Sequence, residues 1–133
     1  MNDTGSPPTL HDAISGVLEE LWQNIGIPVF LMNNVVKGCT KPYVTYSYSL
    51  PGAHKKSAEY AVIRTYSADF AELNALTERA NALIPPEGLI ITVPGDRGLI
   101  KLSRGTPFNE AVPDADYLMK ARKINYFITC YAD

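Results

Sequence analysis

Residues 121–133 read ARKINYFITCYAD, and this closing stretch decides the fold. Its first set of alternate positions is mostly apolar and consists of Ile124, Tyr126, Ile128, Cys130 and Ala132. Its second set consists of Lys123, Asn125, Phe127, Thr129 and Tyr131. A period of two in residues that favour extended backbone predicts a strand. Because the second face also carries Phe127 and Tyr131, we expect the strand to lie inside a sheet and to have that face partly covered.

Helical spacing of apolar residues predicts two main helices elsewhere in the chain. The first follows Thr9, a suitable N-cap, and ends before Gly26. The second begins near Asp69 and Glu72, a pair resembling a capping box, and stops at Pro85. Its expected buried stripe is Phe70, Leu73, Leu76, Ala80, Leu83 and Ile84.

The remaining segments predict strands and turns. YVTYSYSL and EYAVIRTY form an antiparallel pair, because the connection PGAHKKSA is too short for a parallel crossover. LIITV and LIKLS flank PGDRG as a hairpin. The stretch 104–116, RGTPFNEAVPDAD, predicts a long loop, with room for one helical turn.

These elements predict an α+β fold. We expect a mainly antiparallel sheet of about four to five strands with two main helices packed on one face. The domain spans residues 9–133, after a flexible N-terminal arm of residues 1–8, MNDTGSPP. Sheet residues on the other face then lack helical cover, and Phe127, Tyr131 and several of Tyr43, Tyr60 and Tyr66 are candidates to line it.

Composition narrows the class of protein. The chain has 133 residues, of which 46% are hydrophobic and 20% charged, which is typical of one globular domain. Its 12 basic and 14 acidic residues give a formal charge of −2, so no overall positive field attracts nucleic acid. The start lacks the basic and apolar regions of a signal peptide, and no apolar run approaches the roughly 18 residues of a membrane span. We therefore expect a protein that is not exported and has no membrane partner.

Catalytic and metal-binding patterns are weak. His11 and Asp12 are adjacent, but His54 is the one other histidine. Cys39 and Cys130 are far apart and lack an activating or zinc-binding signature, so we expect reduced, structural thiols. We predict no cofactor and no structural metal.

Two surface stretches have alternative interpretations. PGDRGLIKLSRG interleaves glycines with Arg97, Lys101 and Arg104, but lacks the spacing of a phosphate-binding P-loop. A solvated hairpin is its simplest interpretation, and a contact with DNA or an acidic neighbouring subunit is the other. Asp114 and Asp116 are acidic residues of a loop that would bind a hard cation only weakly. Lys55-Lys56 and the group Lys120, Arg122 and Lys123 have the composition of a basic rim facing a partner.

The layout of these segments resembles the tail terminator family of long-tailed bacteriophages, including minor tail proteins at the head-proximal end of the tail tube. The resemblance covers LWQNIGIPVF at the end of the first helix, KPYVTYSYS, the helix DFAELNALTERANALI, and the closing RGTPFNEAVPDADYLMKARKINYFITCYAD. It implies an α+β fold and a structural virion protein without enzyme activity.

The resemblance further implies partners and a location. Copies of the chain would assemble as a hexameric ring that caps the tail tube. The ring would contact the tail-tube protein below and head-completion proteins above, with DNA passing through its lumen. Synthesis would occur in the cytoplasm of a bacterial host carrying the phage or prophage, and the final location would be the virion tail.

In such a ring, we expect a neighbouring subunit to cover Phe127 and Tyr131. The stretch 104–116 would reach across the subunit boundary, with Phe108 as an anchor. The basic candidates for this boundary are Arg97, Lys101 and Arg104. The acidic candidates are Glu110, Asp114 and Asp116.

Three rival functions remain open. A head-tail connector or head-closure protein is also a small ring-forming virion component. A small uncharacterised enzyme would require several of His11, His54, Cys39, Asp114 and Asp116 to meet in one pocket. A nucleic-acid-binding regulator would bind DNA with a steep salt dependence.

Overall fold

The structure, a computed structural model, describes residues 9–32, 42–49, 55–65, 70–112 and 120–132. Its elements in chain order are α1 Leu10–Gln23, β1 Val29–Leu31, β2 Tyr43–Tyr46, β3 Lys56–Thr65, α2 Phe70–Leu83, β4 Leu89–Val93, β5 Gly98–Val112 and β6 Lys120–Ala132. The α+β class is confirmed. The expected arm of residues 1–8 lies outside the described residues, so that division stays a prediction.

The strands form one mixed sheet in the order β1-β2-β3-β6-β5-β4. The pair β1·β2 is parallel, and the other four neighbouring pairs are antiparallel. Six strands exceed the expected four to five, because the three residues Val29–Leu31 form an edge strand where the sequence suggested only a short apolar run. The predicted pairing of β2 with β3 and the predicted β4·β5 hairpin are confirmed.

Both helices pack on one face of this sheet. The Thr9 side chain accepts a hydrogen bond from the Asp12 backbone N–H at 3.0 Å, so the predicted N-cap begins α1. The helices bury Ile14, Leu18, Trp22, Leu73, Leu76 and Ala80. These side chains meet the core-facing set of β6, namely Ile124, Tyr126, Ile128, Cys130 and Ala132, as its alternation predicts.

The expected stripe of α2 is wrong at one position. Phe70 is 50% exposed at the first residue of the helix, and the Lys120 ammonium lies 5.1 Å from the centre of its ring. As the first residue of the helix, Phe70 lies beside the start of β6 and outside the buried core of the described residues. Asp69, the other half of the expected capping box, lies outside the described residues.

The expected long loop at 104–116 is wrong over residues 104–112, and the remainder lies outside the described residues. β5 continues through Val112 because β6 offers a pairing partner along this length. Arg104 pairs with Tyr126 and Asn109 with Ile124, so the four residues 105–108 oppose Asn125 alone. The glycine and proline that suggested a loop therefore occupy a bulge inside a strand. No helix among the described residues is long and apolar enough to cross a membrane.

Candidate functional site

One face of the sheet is not packed by either described helix, and we call it the open face. Side chains alternate across a strand, so its members follow from the register of the pairs. The central strands contribute Lys56, Tyr60, Val62 and Arg64 from β3 and Lys123, Asn125, Phe127, Thr129 and Tyr131 from β6. The strands beyond them contribute Leu99, Lys101, Ser103 and Glu110 from β5 and Ile90 and Thr92 from β4. Phe127 and Tyr131 thus lie where the sequence placed them.

The apolar surface of the open face is concentrated at its β4–β5–β6 end. Tyr131 is 46% exposed and Ile90 62% exposed, and both are large apolar side chains. Tyr131 pairs with Leu99, and Ile90 pairs with Lys101, so the four side chains occupy adjacent rows. Two exposed large apolar side chains on adjacent rows of one face make this end a candidate interaction surface.

Lysines lie over aromatic rings of the same face. The Lys56 ammonium is 5.3 Å from the centre of the Phe127 ring, and the Lys123 ammonium is 4.5 Å from that of Tyr60. Such cation–π contacts hold the aliphatic stems against the rings and keep the charges at the surface. The open face therefore combines aromatic area with positive charge.

Glu110 lies on the open face across from Lys123. Its Oε2 accepts a hydrogen bond from Asn125 Nδ2 at 2.6 Å. The same Asn125 amide nitrogen donates to the Pro107 carbonyl at 3.1 Å. Asn125 thus ties the bulge to the face and orients the carboxylate.

Arg104 and Phe108 serve contacts within the subunit. Arg104 Nε donates to the Ile84 carbonyl at 2.7 Å, and its Nη2 donates to the Asn81 carbonyl at 3.2 Å. Its guanidinium lies 4.3 Å from the centre of the Phe108 ring, which packs half-buried against the core. The pair joins the bulge to the end of α2 and lies on the helix side of the sheet.

The other interface candidates are separated. Arg97 is half-buried in the turn between β4 and β5. Lys101 is exposed on the open face opposite Thr129, in the row between Phe127 and Tyr131. Asp114 and Asp116 lie outside the described residues. The structure thus brings together Lys101, Phe127 and Tyr131.

Sequence reasoning did not select Ile90 or Leu99. The period of two in LIITV and LIKLS places both on the same face as Tyr131 once the strands are paired. The signal was present in the alternation, but reading it requires the register of β5 against β6.

Of the histidines and cysteines considered for catalysis, the structure describes His11 and Cys130. The His11 ring lies 4.8 Å from that of Tyr48, centre to centre. Cys130 is a buried free thiol on the core side of β6. Cys39 and His54 lie outside the described residues. Within the described ranges, no three His, Cys, Asp or Glu side chains gather as a metal-binding group.

Glu59 forms the densest polar cluster of the described residues. It is 5% exposed, and its Oε1 accepts from Ser47 Oγ at 2.8 Å. Its Oε2 accepts from the Ser49 N–H at 2.9 Å, Ser49 Oγ at 2.8 Å and Ser57 Oγ at 3.0 Å. Four donors from the described residues satisfy the buried carboxylate. The cluster fastens the segment after β2 to β3.

On the helix side, Tyr46 and Tyr126 are buried and Tyr48 is half-buried. Desolvation raises the pKa of Tyr126 and that of Tyr48 well above the usual value of 10.0. Burial also raises the pKa of Tyr46, whose hydroxyl forms a hydrogen bond with Ser15 Oγ at 3.0 Å. The neighbouring Trp22 indole lowers the Tyr126 pKa by less than burial raises it. All three side chains are held neutral at physiological pH.

An open groove runs between α1 and the edge strand β4. Its apolar lining includes Val17 and Leu21 from the helix and Leu89 and Ile91 from the strand. Glu20 stands at its margin on α1. The groove lies at the β4 edge of the sheet, mostly on the helix side, and Thr92 of the open face also contributes to its lining.

Comparison with known proteins identifies the fold but no family. No protein-family model matches this chain, and neither does any curated protein. A solved structure whose name states no function has a similar fold, with a TM-score of 0.56. The match covers 91% of this chain and 94% of the other at 13% sequence identity. At this identity the likeness establishes shared architecture alone.

Proposed function

We propose that this chain is a structural virion protein, a tail terminator whose copies form a ring that caps the phage tail tube and joins it to the head. The observation that carries the proposal is the open face. It presents Tyr131 and Ile90 to solvent, at 46% and 62% exposure, in a domain whose two described helices pack on the other face. A subunit that buries this surface only on assembly fits a ring-forming virion protein.

The layout of the chain supports the same proposal. The order helix, strand pair, helix, hairpin and long last strand is the order in which the sequence resembles tail terminators. The ring would be hexameric, as in that family, with the tail-tube protein on one side and head-completion proteins on the other. DNA would pass through its lumen, and the chain would act without enzyme activity or cofactor.

Capping of tail tubes tests the proposal. Purified protein is added to tail tubes that lack a terminator, and bound rings are located by negative-stain electron microscopy. The proposal predicts density at one end of the tube only. Tyr131→Ser should lose the cap, whereas Phe70→Ser, a change at a similarly exposed ring away from the open face, should retain it.

The same experiment separates the alternative of a head-tail connector or head-closure protein. A connector would bind DNA-filled heads and leave tail tubes bare. The open face serves a ring of either kind, so the preference for tails depends on the resemblance in layout. Binding to heads alone would contradict the terminator assignment while retaining a virion ring.

A further inference from the structure

We propose that copies of this chain associate head to tail, with the open face of one copy packed against the outer surface of α1 and the adjoining groove of the next. The inference rests on the proposed ring and names the two surfaces that would form its subunit boundary. A second copy of the chain is the occupant of the open face.

Charge is divided between the two sides of the domain. α1 carries Asp12, Glu19 and Glu20, all exposed, and its sequence contains no lysine or arginine. The open face carries Lys56, Lys101 and Lys123. Glu110 is the acidic residue that the described strands contribute to this face, and Asn125 already donates to it. The described open face is therefore positive, and the surface of α1 is negative. Elsewhere on the helix side the acidic residues of α2 are accompanied by basic ones, namely Arg79, Arg104, Lys120 and Arg122.

The open face has projecting apolar side chains, and the surface beside α1 has an apolar groove that could receive them. Tyr131 and Ile90 project from the open face as its exposed large apolar side chains. The groove beside Glu20 is lined by Leu21 and Ile91 and is open to solvent. An aromatic ring that fills an apolar groove, with charge pairs around it, is the usual composition of an interface anchor.

The charge pattern disfavours pairing of two open faces. An isologous dimer through this face would place lysines against lysines, which costs binding energy. Docking of unlike surfaces from opposite sides of the domain is heterologous and propagates from copy to copy. It closes into a ring where the rotation between copies permits.

Nucleic acid, a polyanion, is the alternative occupant of a basic, aromatic face. Binding of nucleic acid is disfavoured because the exposed carboxylates of α1 and the overall negative charge repel a phosphate backbone. An adjacent copy supplies negative charge and an apolar groove on one surface. The second copy is therefore favoured, and DNA binding becomes an outcome of the test.

Reciprocal charge reversal tests the inference. One variant carries Lys56→Glu and Lys101→Glu, and the other carries Glu19→Lys and Glu20→Lys. All four positions are exposed, so the subunit fold should persist. Cations near the end of α1 also suit the helix dipole. A matched control reverses Glu72 and Glu78, exposed on α2.

Sedimentation velocity measures assembly of each variant and of the equimolar mixture. Each variant alone should have an apparent dissociation constant raised by about tenfold or more, since like charges then face each other. The mixture should regain wild-type assembly with alternating subunits, because both of its boundaries pair opposite charges. The α2 control should assemble like the wild type.

Other results overturn the inference in distinguishable ways. A wild-type ring that is indifferent to reversal on α1, or a mixture that fails to assemble, contradicts the head-to-tail boundary and leaves the ring in place. A wild-type chain that stays monomeric contradicts both the boundary and the ring. Intact assembly of the lysine variant, with loss of salt-sensitive binding to a short DNA duplex, would assign the open face to nucleic acid instead.

Discussion

The ammonium group of Lys56 lies 5.3 Å from the centre of the Phe127 ring, on the face of the sheet that no described helix covers. The lysine stem shields this ring, so Phe127 is half-buried although it points away from the core. Two rows away Tyr131 is 46% exposed. Substitution of Phe127 would therefore disturb the fold and any interface together, whereas Tyr131 reports mainly on the interface.

Tyr131→Ser should weaken assembly more than it weakens the subunit. We expect the free energy of unfolding to fall by less than about 1 kcal/mol, because the side chain is largely at the surface. The apparent dissociation constant between subunits should rise by about tenfold or more, or roughly 1.4 kcal/mol. Analytical ultracentrifugation beside urea titration separates the two effects. Phe70→Ser is the matched control, and equal loss of assembly in both variants would contradict a role specific to the open face.

Glu59→Gln should destabilise the fold. The carboxylate accepts four hydrogen bonds while 5% exposed, and an amide would turn an NH₂ group toward one set of donors. We expect a loss of about 1–3 kcal/mol in unfolding free energy. Ser57→Ala, which removes only one of the donors, should cost less. Unchanged stability of the glutamine variant in urea titration would show that the serine cluster does not fasten the segment after β2.

Gly98→Ala should disrupt the start of the β5·β6 pair. Gly98 has a φ of +121°, and an added Cβ would lie 2.3 Å from the Tyr131 carbonyl oxygen. Strain of on the order of 1–3 kcal/mol should follow, because the contact is with backbone. Gly16→Ala is the opposite control: Gly16 lies inside α1 with nothing within 4 Å of the new Cβ, so stability should rise by roughly 0.5–1 kcal/mol. Thermal denaturation of both variants checks the signs.

Tyr126→Phe should reduce sensitivity to alkaline pH. The pKa of Tyr126 is raised by burial above the usual 10.0, so the folded state keeps its proton at a pH where the unfolded chain releases it. The stability contribution is complete below about pH 10 and declines above it. The phenylalanine variant should lose stability less steeply in this range. At neutral pH its stability should lie within about 1 kcal/mol of wild type, since the hydroxyl has no hydrogen-bond partner in the described part of the chain. Parallel curves above pH 10 would contradict the assignment.

Arg104→Lys should lower the stability of the subunit. The guanidinium donates to two carbonyls at the end of α2, which one ammonium cannot reach with the same geometry. A loss of about 1–2 kcal/mol in unfolding free energy is expected. Assembly measured below the unfolding transition should match the wild type. Loss of assembly without loss of stability would instead support the prediction that Arg104 lies at the subunit boundary.

Local patterns predicted the parts of the fold that depend on them. The alternation of β6, the N-cap at Thr9 and the turn between β4 and β5 follow from side-chain periodicity and turn chemistry. β1 was missed because three apolar residues carry no period, and only pairing with β2 makes them a strand. Gly105 and Pro107 disfavour strands and therefore predict a loop at residues 104–112. In the structure β6 pairs with β5 on both sides of residues 105–108, so these residues form a bulge within a strand.

The candidate surface was predictable only in part. Phe127 and Tyr131 were identified from one strand, since alternation fixes the face of each side chain. To place Ile90 and Leu99 beside Tyr131, both the pairing of β4 with β5 and the register of β5 against β6 must be known. The hairpin pattern predicts the pairing, but no sequence pattern predicts the register. Its positive charge alone makes Arg104 a candidate for the subunit boundary. Its contacts with α2 depend on tertiary placement that no local pattern encodes.

The mass of the purified protein in native conditions, measured from micromolar to millimolar concentration and with negative-stain images of any large species, shows whether the chain forms a ring. We expect growth from monomer to a closed ring of about six subunits, with Tyr131→Ser shifted to higher concentration. A chain that stays monomeric at every concentration, or that stops at a symmetric dimer, would contradict it.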